Sequence, residues 1–209
     1  MGELRHQYCL TVGQIVIVQH GEKERMPGDP GLTSAGHRQA AQTARHLCAT
    51  VPAARLVSSP LRRALETAEV IGLETGLPLV VDDRLRERIN WDGSTPLETF
   101  LETWSHMTAD PDWEPEPGIS SASSGERMLQ AITDHHRGGS VVIVVSHGGA
   151  TVDLLRRILG DGAVRARCPD LISNGVPNCA LTWLTHDGNG WMTGDVARTA
   201  HLPRAAGSA

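Results

Sequence analysis

Aromatic residues are scarce in this chain: one Phe, one Tyr and five Trp make up 3% of its 209 residues. A core must therefore rest on Val, Leu, Ile and Ala. Cysteine is also rare. The four are Cys9, Cys48, Cys168 and Cys179, and no two stand in a CxxC or other metal-ligand spacing. This argues against a zinc module and reads as incidental or buried thiols in a reducing cytosol. No apolar run reaches about 18 residues, so no transmembrane helix is expected. No run of Lys or Arg occurs, and 19 basic against 24 acidic residues leave a net charge of −5. That balance argues against nucleic-acid and membrane partners, while local cations remain available for small anions. Residues 1–12 lack a basic stretch followed by an apolar one, so they do not read as a secretory signal. The expected location is the cytoplasm.

What is present is the alternation of an α/β protein. The length suits one domain spanning 1–209, large enough to need no disulfide or metal staple. Residues 1–13 read as a loosely held leader and 202–209 as a frayed tail. Residues 14–19 form a β-branched apolar run, expected as a strand buried on both faces. A polar loop over 22–31 follows. Thr33 or Ser34 then caps a helix whose apolar residues Ala40, Ala44, Leu47 and Cys48 share one face. Residues 55–58 read as a second strand. Ser59 is expected to cap the next helix, with Pro60 at its first position and Gly72 or Gly76 at its end. Residues 79–81 and 140–146 read as further strands, the latter followed by a helix through Leu154, Leu155, Ile158 and Leu159. Around the turn at 187–190, residues 180–184 and 191–196 read as an antiparallel hairpin.

Strands alternating with helices imply a three-layer αβα sandwich, its sheet mostly parallel with an antiparallel edge. Residues 90–139 form a long insertion expected to cap the carboxyl ends of the strands, where open α/β sheets bind ligands. Within it, Pro96 begins a helix carrying Leu97, Phe100, Leu101 and Trp104. Residues 110–124 read as a mobile loop and 125–136 as another helix.

Two strands end alike, the first in Gln19-His20-Gly21-Glu22 and the last parallel one in Ser146-His147-Gly148-Gly149. A histidine followed by glycine at a strand's carboxyl end is placed to face a ligand, and glycine lets backbone N–H groups approach it. Arg62 and Arg63 stand in the first turn of a helix, where cations do not complement the dipole. Arg62 has Glu66 one turn on. Arg63 borders the apolar stripe, and a cation there makes sense if an anion sits between it and the helix end. After the third strand comes an acid-rich segment, residues 82–91, in which one carboxylate could act as general acid.

Taken together, these motifs resemble the histidine phosphatase superfamily, from Ile15 to about Leu184. Gln19-His20-Gly21-Glu22 is similar to its opening Arg-His-Gly-Glu motif. Residues 28–40 resemble its loop and first helix, 58–68 the segment with its second arginine, 85–87 its acid motif, and 145–149 its second histidine. The resemblance implies a phosphomonoester hydrolase acting on a small phosphorylated metabolite without metal or other cofactor. It makes His20 the nucleophile that becomes a phosphohistidine and Glu87 the acid and base. Gln19, Arg63, His147 and Gly148 would bind the phosphoryl group. Gly21, Glu22, Lys23 and Arg25 would form the substrate rim. A phosphomutase and a weakened relative that only binds a phosphorylated ligand or partner stay open, as does a homodimer. Gln19 stands where the family has arginine, and Lys23, Arg25, Arg62 and Arg88 are the candidates to restore that charge. The loop after Glu22 lacks the Thr-x-Trp-Asn continuation of the sugar-phosphate mutases, which argues against phosphoglycerate mutase itself.

Overall fold

The computed structural model describes residues 13–136 and 140–203. The leader before Gly13, the end of the 90–139 insertion and the tail after Pro203 lie outside the described residues. Among the described residues, six strands form one sheet: β1 (Gly13–Gln19), β2 (Ala53–Ser58), β3 (Leu79–Val81), β4 (Val141–Ser146), β5 (Leu181–His186) and β6 (Trp191–Thr193). Their spatial order is β3-β2-β4-β1-β5-β6. The pairs among β1 to β4 are parallel, and β5 and β6 join antiparallel at one edge. The expected architecture is the one observed. The terminal hairpin forms as its turn chemistry requires, with the Asp187 carboxylate accepting from the N–H groups of Asn189 and Gly190.

The continuous apolar runs are explained by burial on both faces. Ile15 and Ile17 of β1 join Val57, Val142 and Val144 in one core, while Val16 and Val18 join Leu56, Ile143 and Val145 in the other. The second core is closed by α1 (Ser34–Thr50) and α2 (Arg62–Thr75) through Ala44, Leu47, Ala64, Ala68 and Ile71. The first is closed by α4 (Ser121–His135) and α5 (Gly148–Leu159) through Met128, Ala131, Ile132, Leu154 and Leu155. Between β3 and α4, α3 (Leu97–Ala109) stands over the carboxyl edge of the sheet.

Thr33 caps α1, its Oγ1 accepting from the Gly36 N–H at 2.9 Å, and Gly76 ends α2 in the left-handed region at φ 71°. Two local expectations fail for tertiary reasons, and two helices appear where none is expected. Ser59 does not cap α2 and Pro60 is not its first residue. The helix begins at Arg62, whose N–H donates to the distant Asp29 carboxylate at 2.9 and 3.1 Å. The Ser59 hydroxyl has another partner, described below. The loop expected over 110–124 is shorter, because α4 starts at Ser121 with Ser120 accepting from the Ser123 N–H at 3.1 Å. Part of the expected cap is thus a core helix. Finally, α6 (Asp161–Arg167) and α7 (Pro169–Asn174) were not anticipated. Each is anchored by a single buried apolar residue, Val164 and Leu171, which leaves no periodic stripe to read.

Candidate active site

β1 and β4 are neighbours in parallel register, with Gln19 opposite Ser146. Both strands therefore release their His-Gly turns at the same edge of the sheet. His20 and His147 sit there with ring centroids 5.3 Å apart. A cavity of about 360 Å³ opens at this edge, and Gln19, His20, Lys23, Arg63, Glu87, Asn90, Gly148 and Gly149 form its polar part.

His20 is nearly buried. Its Nδ1 donates to the Gly21 carbonyl at 2.7 Å, since a carbonyl can only accept. The remaining nitrogen, Nε2, is then unprotonated and accepts from the Arg63 Nε–H at 3.2 Å. Burial, and after it the Arg63 charge, lowers the His20 pKa to about 3. The imidazole is neutral with its lone pair on the cavity side. The Gly21 N–H donates to Thr67 Oγ1 at 3.0 Å, and Thr67 donates in turn to the Arg63 carbonyl at 2.8 Å. These bonds tie the turn after β1 to the helix that carries Arg63. A side chain at Gly21 would bring its Cβ within 2.7 Å of the Gly36 carbonyl oxygen, so the turn needs glycine to lie against α1.

Arg63 is almost fully buried. Its Nη1 donates to Asn90 Oδ1 at 3.2 Å and lies 3.8 Å from Asp29. Glu87 is held by two backbone N–H groups, from Arg88 at 2.9 Å and Gly149 at 3.0 Å. A Cβ at Gly149 would stand 2.5 Å from Glu87 Oε1 and 2.6 Å from the Trp104 ring, so glycine is what lets all three meet. His147 lies behind this floor, fully buried and not exposed to the cavity. Its Nε2 is 2.7 Å from Ser59 Oγ, and its Nδ1 has no partner among the described residues. Burial, followed by Arg63 and His20, holds its pKa well below the ordinary histidine value.

Gln19 is buried and lines the cavity, with Oε1 lacking a partner among the described residues. Of the four cations considered for the missing charge, Lys23 lines the cavity. Arg25 is exposed outside it. Arg62 binds Glu66 at 2.7 Å with its side chain exposed. Arg88 turns into the protein, 2.8 Å from Asp153, with Ser121 and Thr108 accepting at 2.7 and 3.0 Å and the Trp104 ring 4.0 Å away. The Glu22 side chain faces away from the cavity and accepts from the Thr33 hydroxyl at 2.8 Å. Three supporting residues carried no recognised signal: Asn90 orients Arg63, Thr67 fixes Gly21, and Ser59 fixes His147. A Thr one helical turn after Arg63 was the one available clue. Among the described residues, no three His, Cys, Asp or Glu side chains converge to hold a metal ion. No helix among them is long and apolar enough to cross a membrane.

A strand-end histidine and a buried arginine facing one cavity belong to proteins that handle a phosphoryl group. The chain belongs to one such group: the profile of the histidine phosphatase superfamily (branch 1) matches residues 15–197. It is 34% identical over 172 residues to a glucosyl-3-phosphoglycerate phosphatase of Mycolicibacterium vanbaalenii, covering 72% of this chain and 76% of that one. It is 30% identical over 216 residues to a probable phosphoglycerate mutase, GpmB, of Proteus mirabilis, covering 90% and 94%. Among solved structures, a mycobacterial glucosyl-3-phosphoglycerate phosphatase in complex with inorganic phosphate superposes with a TM-score of 0.71 at 26% identity, covering 91% of this chain and all of that one. The family indicated by the motifs is the family found.

Proposed function

We propose that the protein is a phosphomonoester hydrolase that works through a phosphohistidine at His20. The observation that carries this reading is the state of His20: buried, neutral, oriented by its own turn, and presenting Nε2 beside Arg63. Nε2 attacks phosphorus in line, the N–P bond forms and the P–O ester bond breaks. Glu87 gives a proton to the leaving alcohol oxygen. It then takes one from the water that attacks phosphorus, which breaks the N–P bond and releases inorganic phosphate and neutral His20. Arg63 moves from His20 to the equatorial oxygens, where charge gathers in the transition state. Ser59 donates its hydroxyl proton to His147 Nε2 and so holds that buried ring behind the cavity floor, next to His20. Gln19 and the Gly148 backbone complete the cradle. Gly21 shapes the turn, and Lys23 supplies the cavity's further positive charge.

The relatives named as phosphatases support hydrolysis over transfer. Those named as phosphoglycerate mutases keep return of the phosphoryl group to an alcohol as the second reading. The test is turnover of an aryl phosphate by the protein and by His20→Ala, with and without a chelator, together with acid-labile labelling by a phosphoryl donor. Release of inorganic phosphate that survives chelation and disappears with His20→Ala, along with the label, is the expected result. Unchanged turnover in folded His20→Ala overturns the phosphohistidine route. Isomerised ester without inorganic phosphate supports the mutase. Phosphate binding without turnover supports a ligand-binding relative.

A further inference from the structure

The cavity has two ends of opposite character. Its polar groups gather at the ends of β1 and β4. The wall contributed by residues 89–91 and α3 is apolar: Ile89, Trp91, Leu97, Phe100, Leu101 and Trp104. From this division we infer that the substrate is a phosphomonoester of a bulky, apolar alcohol, of arylalkyl or branched-alkyl type. The inference rests on the phosphatase reading and specifies the leaving group.

Glu87 fixes where the ester oxygen must lie, because it protonates that atom. Its carboxylate and the edge of the Trp104 ring meet at Gly149, so the carbon bonded to the ester oxygen lies against Trp104. Phe100 continues the aromatic surface, with ring centroids 6.1 Å apart. Leu97 and Leu101, 48% and 53% exposed, carry it to the mouth. These are large apolar side chains left open to water on a helix that faces the site, and an apolar ligand would cover them.

The same wall is poorly suited to a polyol or a carboxylate. Among the described residues it holds no charged side chain and no hydroxyl. The Trp91 indole N–H is already donated to the Thr95 carbonyl at 2.8 Å. Asn90 is engaged by Arg63 and by the Gly28 carbonyl. Hydroxyl groups placed here would leave water without replacement partners, which disfavours their binding. Among the described residues, Lys23 is the one lining cation beyond Arg63, and it belongs to the polar end, where burial and Arg63 both depress its pKa.

The test compares primary-alcohol esters, so that the leaving group's reactivity stays similar: ethyl, phenethyl and glycerol phosphates and phosphoserine, with an activated aryl phosphate as a control. The expected result is a kcat/KM for phenethyl phosphate at least about tenfold above that for ethyl phosphate, the scale of discrimination in apolar pockets. Leu101→Asp, an exposed position that tolerates a charge, should bring the phenethyl-to-ethyl ratio toward one. Equal rates for ethyl and phenethyl phosphate, or preference for glycerol phosphate or phosphoserine, overturn the inference while leaving the phosphatase reading in place. A phenethyl preference unchanged by Leu101→Asp overturns the assignment to this wall. Turnover of none of the esters, the aryl phosphate included, overturns the phosphatase reading, and this inference falls with it.

Discussion

Gln19→Arg tests whether the cradle lacks a charge or has replaced one. Gln19 is the last residue of β1, buried directly before the proposed nucleophile, and its side chain already lines the cavity. Its Oε1 has no partner among the described residues, so rotating the amide to present NH2 to a phosphoryl oxygen breaks no bond seen there. That gives a neutral hydrogen bond. An arginine would give a charge-assisted one, with a fork that matches two oxygens. Bonds to charged groups contribute about 1.5–3 kcal/mol, which at about 1.4 kcal/mol per decade is roughly a ten- to 150-fold change in rate. Room exists on one side, since a Cβ built on Gly148 would still lie 3.7 Å from Gln19 Nε2. The gain should appear mainly in kcat/KM, because a phosphate clamp holds substrate and transition state alike. The assay is steady-state hydrolysis of an aryl phosphate by four proteins: the parent, Gln19→Arg, Lys23→Met and the double variant. If Lys23 stands in for the missing charge, Lys23→Met lowers kcat/KM more in the parent than beside Arg at position 19. A folded Gln19→Arg with unchanged kcat/KM, and equal effects of Lys23→Met in both backgrounds, would refute the reasoning.

Three other predictions follow from the geometry. Glu87→Gln can keep one of the two backbone N–H contacts on its carbonyl oxygen but removes the proton, so kcat on an alkyl phosphate should fall by about 10²–10⁴. The fall should be smaller for an activated aryl phosphate, and equal losses would show that Glu87 does not protonate the leaving group. Asp153→Asn leaves the Arg88 charge buried and uncompensated, since the pair is 2.8 Å apart with side-chain exposures of 2% and 0%. It should destabilise by about 3–5 kcal/mol in urea denaturation, with Arg88→Met plus Asp153→Leu recovering most of this; a single variant within about 0.5 kcal/mol of the parent refutes the pairing's role. Because His20 is held neutral from its ordinary 6.5 down to about 3, the unfolded chain takes up a proton in that window that the folded chain does not. His147 acts in the same direction. Stability should therefore fall as pH falls through this window. Asp153, raised by burial to about 6, opposes part of the fall. The check is the denaturant midpoint against pH, which should flatten in His20→Asn; a midpoint that is flat or rising toward acid in the parent refutes the buried neutral state.

The sequence by itself determined the elements whose cause is local. Residues 14–19 and 140–146 are β-branched runs that can be satisfied only inside a sheet covered on both faces. Thr33 and Gly76 mark helix ends because a cap and a left-handed turn are properties of neighbouring residues. The two His-Gly endings, Arg63 and Glu87 were legible because each stands where a strand or helix begins or stops. Tertiary structure decided what depends on where a side chain points and what it meets far along the chain. Ser59 reads as a cap, yet its hydroxyl is held by His147, 88 residues away. Arg88 reads as a candidate for the phosphate, yet it is bound by Asp153, 65 residues on. Lys23 and Arg25 stand two residues apart, and only the packing of their loop sends the first to the cavity and the second to solvent. Sequence periodicity reports which face of an element is buried. The partner that a polar group finds there depends on distances between elements, and those are settled when the two helical layers close over the sheet.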